Sequence, residues 1–90
     1  MTDEQINKEM ADFERSHEGI YISYTYDDDE DIDAYWFKMT LNNYYQIERE
    51  VSGKYLCLLL FGNPLPYIFE EMYQQLRSYQ DEFRFQVWHN

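Results

Sequence analysis

Ninety residues carry eighteen Asp and Glu against seven Lys and Arg, a net charge of −11, with 44% hydrophobic and 20% aromatic residues. That aromatic content excludes a disordered acidic tail. The charge argues against direct binding of nucleic acid, whose phosphates are held by Lys and Arg releasing counterions, and the longest apolar run, Tyr55 to Phe61, falls far short of the ~20 residues that span a bilayer as a helix.

The first helix is announced by Thr2 with Gln5 three residues later, a capping box, and by Asp3 and Glu4, which complement the positive end of a helix dipole. Ile6, Met10, Phe13 and His17 recur at helical spacing, giving one narrow apolar stripe to about Ser16 with charge around the rest of the circumference. Glu4 with Lys8 and Asp12 with Arg15 are favourable pairs, whereas Glu14 and Glu18 repel. Gly19 ends the pattern.

From Ile20 the period becomes two. Ile20, Ile22, Tyr24 and Tyr26 share one face of a strand, and Tyr21, Ser23 and Thr25 share the other. The run Asp27-Asp28-Asp29-Glu30-Asp31-Ile32-Asp33 follows and reads as the exposed loop of a hairpin, since these residues repel one another and disfavour strands. The return strand, about Tyr35 to Leu41, places Tyr35, Phe37, Met39 and Leu41 inward and Trp36, Lys38 and Thr40 outward.

Asn42-Asn43 predicts a turn, because Asn tolerates left-handed backbone geometry. Tyr44 to Val51 is a third strand, and Ser52-Gly53 is expected to make a tight hairpin into a fourth, Lys54 to Phe61, apolar on both faces and therefore central or covered by a helix. Its Cys57, the only cysteine, reads as a small buried hydrophobe and allows no internal disulfide. Gly62 to Pro66 breaks the sheet, and Asn63 caps a second helix to about Tyr79 with Ile68, Phe69, Met72, Leu76 and Tyr79 on its apolar face. A last strand, Phe83 to Trp88, is expected from the alternation of Phe83, Phe85 and Val87. The order is α-β-β-β-β-α-β in one domain over residues 1–90, an α+β fold of mostly antiparallel sheet packed against helices.

The charge is unevenly placed. Twelve of the eighteen carboxylates lie in the first 33 residues, answered only by Lys8 and Arg15, so that segment carries all but about one unit of the net charge. Asp27, Asp29 and Asp31 match three positions of the twelve-residue calcium loop, but Ile32 stands where Gly is needed and Lys38 where a bidentate Glu is needed, so weak cation attraction is the most this run suggests. Neither His17 nor His89 forms a nucleophile–base pattern with Cys57 or a serine, and no glycine-rich phosphate loop is present, so no cofactor and no enzymatic activity are expected. The N-terminal segment, acidic and without the basic and apolar regions of a secretory signal, points to the cytoplasm.

Extended acidic residues at alternate positions lie ~6.6 Å apart, close to the spacing of phosphates along a nucleic-acid strand. The acid also adjoins outward aromatics, Tyr21, Trp36, Tyr44 and further on Trp88, of the type enriched in protein interfaces. These features point to a non-enzymatic binder that imitates nucleic-acid charge and blocks a basic nucleic-acid-binding protein. Phage inhibitors of host restriction or CRISPR enzymes, and immunity proteins against nuclease toxins, share this size and composition, a parallel of composition and not of motif. The expected contacts are Asp27, Asp28, Asp29, Glu30, Asp31 and Asp33, with Glu14 and Glu18 assisting and Trp36 as anchor. The alternative is an assembly module that pairs with itself or another subunit through aromatic faces or sheet edges, its acid serving solubility.

Overall fold

A computed structural model describes residues 2–27, 32–57 and 63–89, without the side chains of residues 57 and 83–89. In chain order it contains α1 (Asp3–Ser16), β1 (Ile20–Asp27), β2 (Ala34–Leu41), β3 (Tyr45–Ser52), α2 (Gly53–Cys57) and α3 (Leu65–His89). The fold is α+β.

Helix α1 starts at the capping box: the Thr2 N–H donates to Gln5 Oε1 (2.8 Å) and the Gln5 N–H donates to Thr2 Oγ1 (3.2 Å). Its stripe of Ile6, Met10 and Phe13 is buried. His17 caps the other end and stacks on Phe13, ring centroids 3.9 Å apart. Gly19 then turns the chain with φ +85, and a Cβ there would lie 2.2 Å from Asn42 Oδ1, so both conformation and space call for glycine.

The three strands form one antiparallel sheet in the order β1-β2-β3. The register pairs Ile20 with Leu41 through Asp27 with Ala34, and Ala34 with Ser52 through Leu41 with Tyr45. The Asn-Asn turn forms as its residues imply: Asn42 and Asn43 both take positive φ (55 and 58), and the Tyr44 N–H donates to the Leu41 carbonyl at 3.2 Å. The alternation of β1 and β2 holds, with Ile20, Ile22, Phe37, Met39 and Leu41 in the core.

One expected strand, and the start of another, are helix. The segment from Lys54 does not pair with β3; Gly53 instead opens the short α2, its N–H donating to the Asp33 carbonyl at 2.8 Å. A run apolar on both faces carries no period and so fits helix as well as strand. Here Asp33 takes the Gly53 N–H that a hairpin would have turned back to its own neighbour. The remainder of that expected strand, residues 58–61, lies outside the described residues, as does the Cys57 side chain. The central strand is accordingly β2, with β1 and β3 at the edges.

The second correction is at the other end. Residues 83–88 continue α3, which runs unbroken to His89. Between Tyr79 and Phe83 stand only Gln80, Asp81 and Glu82, with no glycine or proline to stop a helix already propagating. Asn63 does cap α3, its Oδ1 accepting from the Leu65 N–H at 3.0 Å. Leu65, Ile68, Phe69, Met72 and Leu76 are buried, but Tyr79, placed on this face by spacing, is exposed and its hydroxyl accepts from Gln75 Nε2 at 2.9 Å.

Helices α1 and α3 cover the same side of the sheet. Phe69 meets Phe37 of β2 at 5.4 Å and Phe13 of α1 at 5.7 Å, both edge to face, so one ring of α3 ties both helices to the sheet. Arg49 of β3 forms an ion pair with Glu71 of α3, and His17 Nε2 lies 3.8 Å from Glu70. Neither α1 nor α3, among the described residues, crosses to the opposite side of the sheet, where Tyr21 and Trp36 are exposed. Among the described residues no helix is long and apolar enough to cross a membrane.

Candidate functional site

The open side is built from the residues of each strand that alternate with the core set. The register sets Thr25, Trp36 and Glu50 in one row, Ser23, Lys38 and Glu48 in the next, and Tyr21, Thr40 and Gln46 in the third. Side chains opposite one another across strands are ~5 Å apart, and rows on one face are separated by about two residues' rise, near 7 Å. Trp36 therefore stands mid-sheet, flanked by a hydroxyl on one side and a carboxylate on the other.

It remains 40% exposed, and Tyr21 and Tyr44 beyond it are 63% and 72% exposed. A shallow hollow of about 260 Å³ opens beside Trp36, lined by Ser23, Thr25, Lys38 and Glu48, with Tyr24 between the first two. Tyr21 shares the face of Trp36 two rows away, whereas Tyr44 stands in the turn before β3. Glu50 makes no ion pair among the described residues.

The expected partner-binding residues fall into three groups. Asp28, Asp29, Glu30 and Asp31 lie outside the described residues. Asp27, the last residue of β1, and Trp36 sit at the same end of the sheet, the end from which the acidic run departs. Glu18 lies at the opposite end: it follows α1 and precedes β1, whose eight residues span ~23 Å before Asp27 is reached. The structure thus does not bring Glu18 together with Asp27 and Asp33.

Two of the expected carboxylates have internal partners. Glu14 Oε1 accepts from the Ile22 N–H at 3.0 Å. Ile22 belongs to an edge strand and this amide points away from β2, so Glu14 caps a donor that the sheet leaves open. Asp33 Oδ1 accepts from the Tyr26 hydroxyl at 2.7 Å, while its backbone carbonyl accepts from Gly53. A Cβ on Gly53 would lie 2.1–2.5 Å from the Asp33 carboxylate, so that group rests directly against the start of α2. Asp33 joins the end of β1, the beginning of β2 and α2; its carboxylate is partly held for structure.

Asp3 accepts a hydrogen bond from the Tyr24 hydroxyl at 2.8 Å. This bond shows that α1 runs antiparallel to β1, bringing its acidic first turn, Asp3 and Glu4, towards the Asp27 end of the sheet. Burial, then the hydrogen bond and charge of Asp3, push the Tyr24 phenol up to about 12.

Glu48 and Glu50 are the site residues that the sequence reading passes over. Their signal was present in the alternation of Tyr45, Ile47 and Val51 with Gln46, Glu48 and Glu50, which sets the acids on the polar face of β3. Only the register places them beside Trp36. Among the described residues no three His, Cys, Asp or Glu side chains are grouped to hold a metal ion. No family model, no curated protein and no solved structure matches this chain.

Proposed function

We propose that the protein is a non-enzymatic, stoichiometric inhibitor that docks its acidic end and open sheet face on a basic nucleic-acid-handling protein and blocks the surface used for nucleic acid. The observation that carries this reading is the open face itself: Trp36, exposed on the central strand, stands in line with Glu50 and next to Glu48 at the end of the sheet where Asp27 begins the acidic run. The concentrated carboxylates steer the encounter, and burial of the aromatic then slows dissociation. We place the action in the cytoplasm, where a lone cysteine with no internal partner stays reduced.

Sheet-edge assembly is less well supported at β1, because Glu14 already occupies the Ile22 amide that a pairing strand would need. The test is the variant Asp27→Asn/Asp29→Asn/Asp31→Asn, with folding checked by its amide spectrum. Capture of a basic partner should fall roughly tenfold or more while the amide spectrum stays that of the folded parent. A folded triple variant that captures the partner as well as the parent does would dismiss charge mimicry.

A further inference from the structure

We propose that an arginine side chain of the partner docks on Trp36 at the rim of the hollow, its guanidinium lying flat on the indole and donating to Glu50, which stands opposite Trp36 outside the hollow's lining. This rests on the acidic docking reading above and names the chemistry of its central contact. Three observations lead to it. Trp36 is on the central strand, hydrogen-bonded on both sides, so its ring is offered from a rigid platform. Across β3 the register sets Glu50 directly opposite, within reach of a group stacked on that ring, and Glu50 has no ion-pair partner among the described residues. The hollow also adjoins Ser23 and Thr25, whose hydroxyls can accept from the remaining guanidinium N–H groups.

Lys38 selects between the two cationic side chains a partner can offer. It lines the hollow from the next row, opposite Glu48. A compact, strongly hydrated ammonium entering the hollow would keep its water and meet the like charge of Lys38 nearby. A guanidinium is planar, weakly hydrated and able to stack, and it can point its fork along the Trp36 row towards Glu50, away from Lys38. The surface as a whole is acidic and so complementary to a basic protein, while this one position discriminates by shape.

The test is an amide and indole N–H titration of the full-length protein with hexa-arginine and, separately, hexa-lysine peptide at low salt, repeated with Trp36→Ala and Glu50→Gln. Arginine peptide should shift the Trp36 indole N–H and the amides of residues 23, 25, 36 and 50, and bind about fivefold tighter than lysine peptide. Either substitution should erase that preference, so that arginine and lysine peptides bind the variant equally; the amide spectrum reports whether each variant is folded. Equal affinity for the two peptides, or shifts confined to residues 27–33, would overturn the arginine site while leaving acidic docking standing. Binding of neither peptide would overturn both.

Discussion

Tyr24 and Tyr26 sit two residues apart on one strand face and each donates its hydroxyl to an aspartate, yet they do different work. Tyr24 is partly buried against the core beside Tyr35 and Phe37, and burial together with Asp3 raises its phenol from the usual 10 to about 12. The folded state therefore keeps this proton over a pH range in which the unfolded chain has lost it. Its contribution to stability is complete below pH 10 and disappears as the pH climbs from 10 towards 12. Denaturant midpoints measured across that range should fall with pH, and Tyr24→Phe should flatten that component of the fall; an unchanged slope would contradict the assignment. Tyr26 instead belongs to a small unit with Asp33 and Gly53. Gly53→Ala forces the Asp33 carboxylate to move and so breaks the Tyr26 bond, while Tyr26→Phe removes the same bond directly. Each should cost ~1 kcal/mol, and the double variant little more than either single one, because both remove one interaction. Strictly additive costs would show that the two residues are independent. Neither role was readable in advance: Asp33 looked like one acid in a run of acids, and only the strand pairing and the start of α2 reveal what lies against it.

At the scale of elements, most local signals held, the hairpin expected at Ser52-Gly53 being the exception. The capping box of α1, the paired asparagines between β2 and β3, the alternation in β1 and β2 and the Asn63 cap of α3 each have a stereochemical cause confined to a few neighbouring residues. The failures share a different cause. Phe83, Phe85 and Val87 alternate over only five residues, too few to separate a period of two from one of 3.6, and the 25-residue α3 simply continues through them. At ~37 Å this helix is longer than the eight-residue strands it covers. The apolar run from Lys54 failed for want of any period at all. Long-range contacts were also out of reach, and the bond from Glu14 to Ile22 is the clearest case, since it requires knowing that β1 is an edge. Glu14→Ala should expose that edge: the Ile22 amide should exchange with solvent faster, stability should drop by ~1–2 kcal/mol, and sedimentation should show more self-association. Unchanged exchange at Ile22 would mean that the carboxylate does not hold the strand.

For the molecule as a whole, α1 and α3 lie on one side of the sheet, and among the described residues the other face exposes Trp36 near the end where Asp27 begins the acidic run. The concentration of charge in the first 33 residues was legible at once. The gathering of Glu48 and Glu50 beside Trp36 was not, because it depends on the register between β2 and β3. Both helices are committed to the core side, through Phe13 and Phe69 and through the ion pair of Arg49 with Glu71. Under the proposed reading the encounter on this face is fast and steered by charge. Such binding must weaken steeply with ionic strength, whereas an aromatic or strand-pairing interface would hold or strengthen. The most direct measurement is capture from lysate on the immobilised protein, eluted in salt steps, in parallel with the Asp27→Asn/Asp29→Asn/Asp31→Asn variant. The account predicts a basic nucleic-acid-handling protein released at moderate salt from the parent and absent from the variant. A neutral partner that resists salt and is retained equally by both would contradict it.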